Sequence, residues 1–141
     1  MYLVIRWHVE PTRANYELIP EWITPRPAQL FTAHPHWLDY LPFPRLRDAC
    51  VMQTPHVLFE NFFVPYTTTL SLGWPYDPAD VLIPRPPANF ASLDHPPPDE
   101  PVYHINPAFE THLRKLDNWS LGQAFAEAFP EWASLVKIRE R

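Results

Sequence analysis

The chain has 141 residues, 46% of them hydrophobic and 15% aromatic, which is enough for one folded domain with a buried core. A formal net charge of −5 and scattered basic residues argue against a surface that neutralises nucleic-acid phosphates. The single cysteine, Cys50, excludes an internal disulfide and a zinc site made of cysteines. The apolar start is interrupted by Arg6 and His8, which is typical of neither a signal peptide nor a membrane span. We therefore expect a cytoplasmic or nuclear protein that does not bind DNA directly and does not enter a membrane.

Proline is the unusual component of the chain, with 20 prolines against 2 glycines. Because proline fixes φ and removes a backbone donor, long helices and central strands are disfavoured. So few glycines also leave little capacity for turns with positive φ. We predict a single domain over residues 1–141 that is mainly α, with short helices, long ordered proline-rich loops and space for one or two short strands.

The first quarter of the chain predicts little helix. Residues 2–9 favour a short strand, because several of their side chains suit a pleated surface. Residues 11–36 contain five prolines and predict an extended arm without an α-helix of ordinary length. We expect three large apolar side chains to pin this arm: Trp22, Leu30 and Phe31.

Two apolar segments in the middle of the chain have helical spacing. Pro44 suits the first position of a helix over residues 44–52, and four of its side chains should face inward: Leu46, Ala49, Cys50 and Val51. The next segment is also mainly apolar, and four of its residues have the helical spacing i, i+1, i+4 and i+5: Val57, Leu58, Asn61 and Phe62. Residues 67–74 fit a strand or a helix. Residues 84–101, with seven prolines, predict a surface loop with polyproline II character.

The last part of the chain predicts a helical hairpin with a polar back. Asn106 suits an N-cap and Pro107 the first helical position, and Glu110 pairs with Arg114 at i,i+4. One face of this helix carries Phe109, His112, Leu113 and Leu116. Ser120 is expected to cap a second helix with four inward side chains: Leu121, Ala124, Phe125 and Ala128. After Pro130 a last helix continues the apolar stripe with Trp132, Leu135 and Val136.

Two blocks of sequence are more specific than a generic proline-rich domain. The first is WITPRPAQLFTAHPHWLDYLPFPRLRD, residues 22–48, and the second joins LSLGWPYDPADVLI (70–83) to INPAFETHLRKLDNWSLGQAFAEAFPEW (105–132). Together they resemble a fungal domain of unknown function, DUF3425, found C-terminal to the basic leucine zipper in many fungal bZIP transcription factors. The same domain also occurs as a stand-alone protein, often near secondary-metabolite genes. The resemblance covers about residues 20–135.

The resemblance implies a companion domain rather than a DNA-reading segment. The matched signature falls on Pro25 to Leu30, His36, Trp37, Asp39, Leu41 to Pro44, Arg47, Asp48, Trp74 to Asp77 and Asn106 to Gly122. A bZIP protein reads the major groove with a basic helix held by a coiled coil. The residues before the match contain neither a basic region nor leucine heptads, so we do not expect the DNA-binding role to transfer.

Four polar residues are candidates for catalysis. His36 and Asp39 follow His34 closely, and two imidazoles at i and i+2 could chelate a metal. However, Pro35 lies between the two histidines and no second ligand cluster is evident. We therefore expect His36 and Asp39 to cap or tether the helix that starts near Pro44, rather than to bind a metal. Arg47 suits either an ion pair with a nearby aspartate or a clamp on a ligand carboxylate or phosphate. His112 on an apolar helix face is either a satisfied core residue or a general acid–base.

Five further residues are candidates for contacting a ligand, because they supply stacking surfaces or an amide: Trp37, Trp74, Tyr76, Asn118 and Trp119. The structural alternative is that Asn118 forms a turn and Trp119 belongs to the core. Cys50 is expected to be an inert packing residue. No dinucleotide fingerprint, P-loop, GxSxG or HExxH pattern is present, so we expect no cofactor.

Two functions from different classes fit these observations. The first is a regulatory module, linked to fungal secondary metabolism, that binds a small metabolite or a partner protein. The alternative is a cofactor-independent biosynthetic enzyme, a cyclase, isomerase or dehydratase, that holds an apolar fungal metabolite in an aromatic pocket. Convergence of the four catalytic candidates on one cavity would favour the enzyme.

Overall fold

The chain folds as a mainly α domain of short helices, described here by a computed structural model for residues 2–53, 56–84 and 102–140. The α-helices are α1 (Tyr2–Val9), α2 (Arg13–Glu17), α3 (Pro27–Phe31), α4 (Pro44–Met52), α5 (Phe59–Thr69), α6 (Pro107–Leu113) and α7 (Gln123–Ala128). Single 3₁₀ turns lie at Glu21–Ile23, His36–Tyr40, Pro78–Val81, Leu116–Asn118 and Pro130–Leu135. The predicted fold class is therefore confirmed.

Two small sheets join distant parts of the chain. Strand β1 (Leu82–Pro84) pairs antiparallel with β2 (Tyr103–Ile105). Strand β3 (Leu121–Gly122) pairs in parallel with β4 (Ile138–Arg139). Ser71 and Ser120 form a further antiparallel bridge that ties the end of α5 to β3.

Prolines set the starts of several helices. Pro27, Pro44 and Pro107 occupy the first turn of α3, α4 and α6, where the missing N–H has no intrahelical partner to lose. At α6 the Asn106 side chain also accepts a hydrogen bond from the Ala108 N–H, so the predicted cap is confirmed. The α4 bounds are those predicted from the sequence.

Helix α5 is the longest helix among the described residues, and it contains Pro65. Pro65 has no backbone N–H, so the Asn61 carbonyl, four residues earlier, lacks its helical hydrogen bond. Asn61 is an exposed residue, so this carbonyl can bind water instead. The last turn is reinforced by three threonine hydroxyls that donate to carbonyls four residues earlier: Thr67 to Phe63, Thr68 to Val64 and Thr69 to Pro65.

The main core packs α4, α5, α7 and the 3₁₀ turn Pro130–Leu135 around Phe62. The Phe62 ring lies within 6.1 Å, centroid to centroid, of five other rings: Trp37, Tyr66, Phe125, Phe129 and Trp132. Cys50 is fully buried in this core, and burial raises the pKa of its thiol to about 12, so the thiol is protonated at neutral pH. A second, smaller core is formed by Val4, Ile19 and Ile23.

The predicted strand over residues 2–9 was wrong, because this segment forms α1. Leu3, Val4 and Trp7 share the helical spacing i, i+1, i+4, and they pack in the small core with Ile19 and Ile23. Strand propensity is a weak preference that such packing overrides.

The predicted arm over residues 11–36 is correct in lacking a long helix, since α2 and α3 have five residues each. Two of its predicted anchors were wrong, because Leu30 is 65% and Phe31 is 87% exposed. Trp22 does hold the arm to the domain, since its indole Nε1 donates to the Arg114 carbonyl over 2.7 Å. Ile19 and Ile23, rather than Leu30 and Phe31, are the buried apolar anchors of the arm.

The predicted inward faces of two further segments were partly wrong. Of the four residues given a helical spacing in the segment before and within α5, Phe62 is buried and Val57 is half-buried against the main core, while Leu58 and Asn61 are exposed. The helix starts at Phe59, which rotates the inward stripe onto Phe62 and Tyr66.

The predicted hairpin was also partly wrong. Ser120 pairs with Ser71 instead of capping a helix, and Leu121 lies in β3. Helix α7 therefore starts at Gln123 and buries Phe125, while Ala124 and Ala128 are exposed. After Pro130 the chain forms a 3₁₀ turn rather than a last α-helix, and the predicted Glu110–Arg114 pair is present at 3.1 Å.

Glycine takes positive φ at one position among the described residues, Gly73, where φ is +61°. This agrees with the expectation from glycine content. The predicted proline-rich loop lies mostly outside the described residues, at 85–101. In the described part of the chain, none of the helices has the length and apolar character needed to cross a membrane.

Phe125 offers a direct test of the core. We expect Phe125→Ala to lower the free energy of unfolding by about 3–5 kcal/mol, because it removes a fully buried ring packed against Phe62 and Tyr66. Phe31→Ala is the matched control, and it should change stability by less than about 0.5 kcal/mol, because Phe31 is exposed. Chemical denaturation measures both values, and equal losses would contradict this core.

Candidate functional site

Arg47 lies at the centre of a buried polar network, with no exposed surface. Its Nη1 donates to the Leu41 carbonyl over 2.7 Å, and its Nη2 donates to the carbonyls of Thr24 at 3.0 Å and Trp22 at 3.3 Å. Its Nε donates to the Gln29 side-chain oxygen over 2.8 Å. One guanidinium therefore joins α4 to three loop carbonyls and to α3.

The charge of Arg47 is held by dipoles rather than by a direct ion pair. Burial lowers the pKa of Arg47 to about 10, while the negative charge of Asp48 opposes this fall and the positive charge of Arg26 adds to it. The guanidinium is therefore still charged at neutral pH. Asp48 itself pairs with Arg26 through an Nε–Oδ2 contact of 2.7 Å. The expected pairing of Arg47 with an aspartate is replaced by carbonyl contacts, because the extended arm brings unpaired carbonyls to α4.

Asp39 extends the network to two histidines. Its Oδ1 accepts a hydrogen bond from Gln29 Nε2 at 2.6 Å and lies 2.9 Å from His34 Nε2. His34 Nδ1 lies 2.7 Å from the Thr32 carbonyl. His36 is 97% exposed in its side chain, and its Nδ1 is 3.7 Å from Asp39 Oδ2. His34 is therefore the tighter partner of Asp39, although the sequence motif emphasised His36.

The two acceptors around His34 favour its charged form, because both ring nitrogens must carry a proton to donate to Thr32 and Asp39. Burial on its own lowers the pKa of His34, but the hydrogen bonds to Thr32 and Asp39 and the charge of Asp39 together raise it above 6.5. Burial on its own raises the pKa of Asp39, but hydrogen bonds from His34 and Gln29, with the charge of both histidines, lower it below 3.8. The pair is an ion pair at mildly acidic pH.

A small cavity of about 350 Å³, with a mixed polar and apolar lining, lies beside this network. His34, His36 and Asp39 line it together with Gln29 and His8, and α1 and α3 supply the apolar part of the wall. Arg47 and His112 are not among the lining residues. In the described parts of the chain, no group of three or more His, Cys, Asp or Glu side chains is arranged to hold a metal ion.

His112 lies elsewhere, half-buried on α6. Its Nε2 is 3.0 Å from the Leu72 carbonyl, and its ring packs edge-on against Trp74. Asn118 Nδ2 donates to the His112 carbonyl over 2.7 Å, so the amide closes the turn after α6. Tyr76 packs against Trp74 but is 65% exposed. These four residues form a separate polar and aromatic cluster near the end of α6.

The larger cavity, of about 750 Å³, is aromatic. It lies between α1, α5, α6 and the 3₁₀ turns Glu21–Ile23 and His36–Tyr40. Its aromatic lining residues are Tyr2, Trp22, Trp37, Tyr40, Phe59, Phe62, Phe63, Tyr66, Phe109 and Trp119. Two of the five predicted ligand-contact residues, Trp37 and Trp119, therefore line this cavity.

Three polar donors of the cavity wall are committed to other groups of the protein. Trp22 Nε1 donates to the Arg114 carbonyl, and Trp119 Nε1 donates to the Leu113 carbonyl over 2.8 Å. The Thr67 hydroxyl donates to the Phe63 carbonyl. Because these three donors are already satisfied, they present their apolar parts to a bound molecule.

Sequence reasoning missed most of this lining. The available signal was a surplus of apolar positions on two short helices: Phe59 and Phe63 lie beside the core stripe of α5, and Phe109 and Leu113 share a face of α6 at i,i+4. A helix that needs one stripe for the core but carries two can line a cavity with the second. The charged residues Glu110 and Arg114 were predicted as a pair but not as part of a cavity wall.

Arg47 is expected to be the most sensitive polar residue of the domain. Arg47→Met should lower the free energy of unfolding by about 3–5 kcal/mol, because it leaves buried carbonyls without their donor. Arg45→Met is the matched control two residues away on α4, where the side chain is exposed, and it should change stability by less than about 0.5 kcal/mol. Urea denaturation compares the two variants, and equal losses would show that the network is not structural.

The raised pKa of His34 predicts a pH dependence. The contribution of protonated His34 to stability should be fully present below pH 6.5 and be lost as the pH rises through the folded pKa. His34→Gln should abolish that loss, whereas the exposed His36→Gln should preserve it. Denaturation of the three proteins between pH 5.5 and about 8.5 measures the slopes, and identical slopes for all three would contradict the His34–Asp39 pair.

The comparisons with known proteins agree with the family indicated by the signature residues. No curated protein and no solved structure matches the chain. A family model described as a domain of unknown function (DUF3425) matches residues 2–139, which includes α1 to β4 and therefore both cavities. The chain belongs to the DUF3425 family.

Proposed function

We propose that this domain is a binding module whose ligand is a small apolar molecule held in the aromatic cavity. The observation that carries the proposal is the cavity of about 750 Å³ between α1, α5 and α6, with ten aromatic lining residues. Small-molecule sites are typically concave, mostly apolar and of this size. The half-open cavity leaves apolar side chains such as Phe59 and Phe63 44% and 46% exposed, and a ligand would cover them.

The enzyme alternative has less support because its four candidate residues do not share a cavity. His36 and Asp39 line the smaller cavity, His112 lies near Trp74, and Arg47 is enclosed among carbonyls. Both ring nitrogens of His34 are engaged, so it is poorly suited to exchange a proton with a substrate. Among its described lining residues, the aromatic cavity has no histidine. A ligand there would be bound rather than converted.

The proposal fits the regulatory class suggested by the bZIP-associated resemblance. A module that binds a metabolite without changing it can report the concentration of that metabolite through its own stability or contacts. Fungal secondary metabolites with aromatic or polyketide skeletons have the apolar surface that such a cavity would cover. This role in secondary metabolism is part of the proposal.

Binding of a neutral fluorescent probe tests the proposal. We expect N-phenyl-1-naphthylamine to bind at one saturable site with a Kd on the order of 10 μM, because the wall offers many aromatic contacts. A probe that binds only the folded state must also raise the melting temperature. Probe fluorescence and thermal unfolding are the two measurements.

A matched pair of variants on α6 locates the site. Leu113→Trp replaces a lining leucine with a bulky indole that fills part of the cavity, so it should weaken probe binding about tenfold or more. Ala108→Trp adds the same ring to an exposed position of α6 outside the lining, and it should leave binding unchanged. A folded wild-type protein that fails to bind the probe would refute the proposal, and so would equal binding by both variants.

A further inference from the structure

We infer that the ligand of the aromatic cavity is an amphipathic acid, an apolar body with one carboxylate that binds Arg114 at the edge of the cavity. The inference rests on the proposed function and names the class of ligand for the same site. It follows from where the charges of the lining lie and from how Arg114 is held.

The charged groups of the cavity are confined to one place. Among the described lining residues, the only charged side chains are Glu110 and Arg114, which lie one helical turn apart at the end of α6. The opposite walls, from α1 and α5, are apolar or carry hydroxyl groups. A bound molecule therefore meets formal charge at a single edge, which is the arrangement expected for a ligand with one polar end.

Arg114 is anchored through its main chain while its side chain keeps donors available. The Trp22 indole donates to the Arg114 carbonyl over 2.7 Å, which fixes the residue at the junction of α6 and the arm. Its Nη2 donates to Glu110 at 3.1 Å, and its Nη1 is 3.4 Å from the Leu18 carbonyl, a long contact. A guanidinium has five N–H donors in a planar fork that matches a carboxylate, so donors are left for a ligand.

The Glu110–Arg114 pair does not prevent this role. Its side chains are 54% and 37% exposed, and such solvent-exposed pairs contribute little to stability. The carboxylate of a ligand can therefore replace Glu110 beside Arg114, with Glu110 turning to water. Since the ligand carboxylate would sit at the edge of an apolar cavity, its bond to Arg114 is less screened than the exposed pair.

An acid is favoured over an amine because of which partner is fixed. An ammonium group would need Glu110, which is the more exposed partner and whose carbonyl is not tied to the arm. Arg114 is both less exposed and held by Trp22 at the cavity wall. The chain has an overall charge of −5, so attraction of an acid depends on this local positive charge.

Three ligands with the same apolar chain test the inference: dodecanoic acid, dodecanol and dodecylamine. Each displaces N-phenyl-1-naphthylamine from the full chain at pH 8, where the carboxylic acid is ionised. We expect the acid to bind about five- to tenfold more tightly than the alcohol, and the amine to bind more weakly than the alcohol.

Variants of the two charged residues supply the matched controls. Arg114→Gln should remove the preference for the acid over dodecanol, whereas Arg114→Lys should keep most of that preference because it keeps the charge. Glu110→Gln should increase the affinity for the acid about two- to threefold, because the competing carboxylate is gone. Thermal unfolding confirms that each variant is folded, and Arg114→Lys decides the result if Arg114→Gln is not.

The outcomes separate this inference from the proposed function. Equal binding of acid and alcohol, or an Arg114→Gln variant that still prefers the acid, overturns the inference while apolar binding stands. Tighter binding of dodecylamine overturns it in favour of a cationic ligand at Glu110. Failure of all three ligands and of the probe overturns the proposed function, and the inference with it.

Discussion

The hydrogen bonds of the Arg47 guanidinium are the constraint on which the arrangement of the arm depends. The segment before α4 is rich in proline and is divided into short helices and 3₁₀ turns, so carbonyls at the ends of these elements have no partner within them. Arg47 supplies donors for three of them and for Gln29, and Gln29 carries the network on to Asp39. A buried charge is expensive unless it is hydrogen-bonded, and each of the three guanidinium nitrogens of Arg47 donates to Leu41 or to the arm. The network also positions the 3₁₀ turn His36–Tyr40, which contributes Trp37 and Tyr40 to the wall of the aromatic cavity.

The aromatic core and the aromatic cavity share the two adjacent faces of α5. Phe62 and Tyr66 pack in the cluster with Phe125. Phe59 and Phe63 lie on the neighbouring face of α5, which lines the cavity. Close packing of Phe62 fixes the rotation of α5, and that rotation decides which side chains face the cavity. Gly122 contributes to the same fixation, because a Cβ there would lie 3.2 Å from Thr69 Cβ at the end of α5. The shape of the cavity therefore depends on the packing of the core, and it changes little unless that packing changes.

Local signals predicted the parts of the fold that depend on neighbours in sequence. Pro44 and the Asn106–Pro107 pair mark the starts of α4 and α6, because both effects act within a single turn. Helix α1 was not predictable in this way, since Val4 is buried against Ile19 and Ile23 of the arm, which lie fifteen or more positions away. The same limit applies to the site. Trp37 and Trp119, predicted as ligand contacts from their residue type, line the cavity, whereas Glu110 and Arg114 were predicted only as a surface pair and reach the cavity wall where Trp22 meets α6. Residues that long-range contacts bring together show no periodic pattern in the sequence, so they cannot be predicted from it.

The short helices that proline enforces also explain why a cavity exists between the two cores. The smaller core of Val4, Ile19 and Ile23 packs α1 on the arm, and the main core packs α4, α5 and α7. Val4 and Ile23 face the aromatic cavity on one side while Phe62 and Tyr66 face it on the other, so the cavity occupies the interval between the two cores. Helices of five to eleven residues cannot extend across that interval to fill it. Each Å² of apolar area removed from water stabilises the folded state by roughly 25 cal/mol. Apolar walls that stay in contact with water do not make this contribution. A ligand that covers these walls would join the two cores, so binding and stability are coupled through α1 and α5.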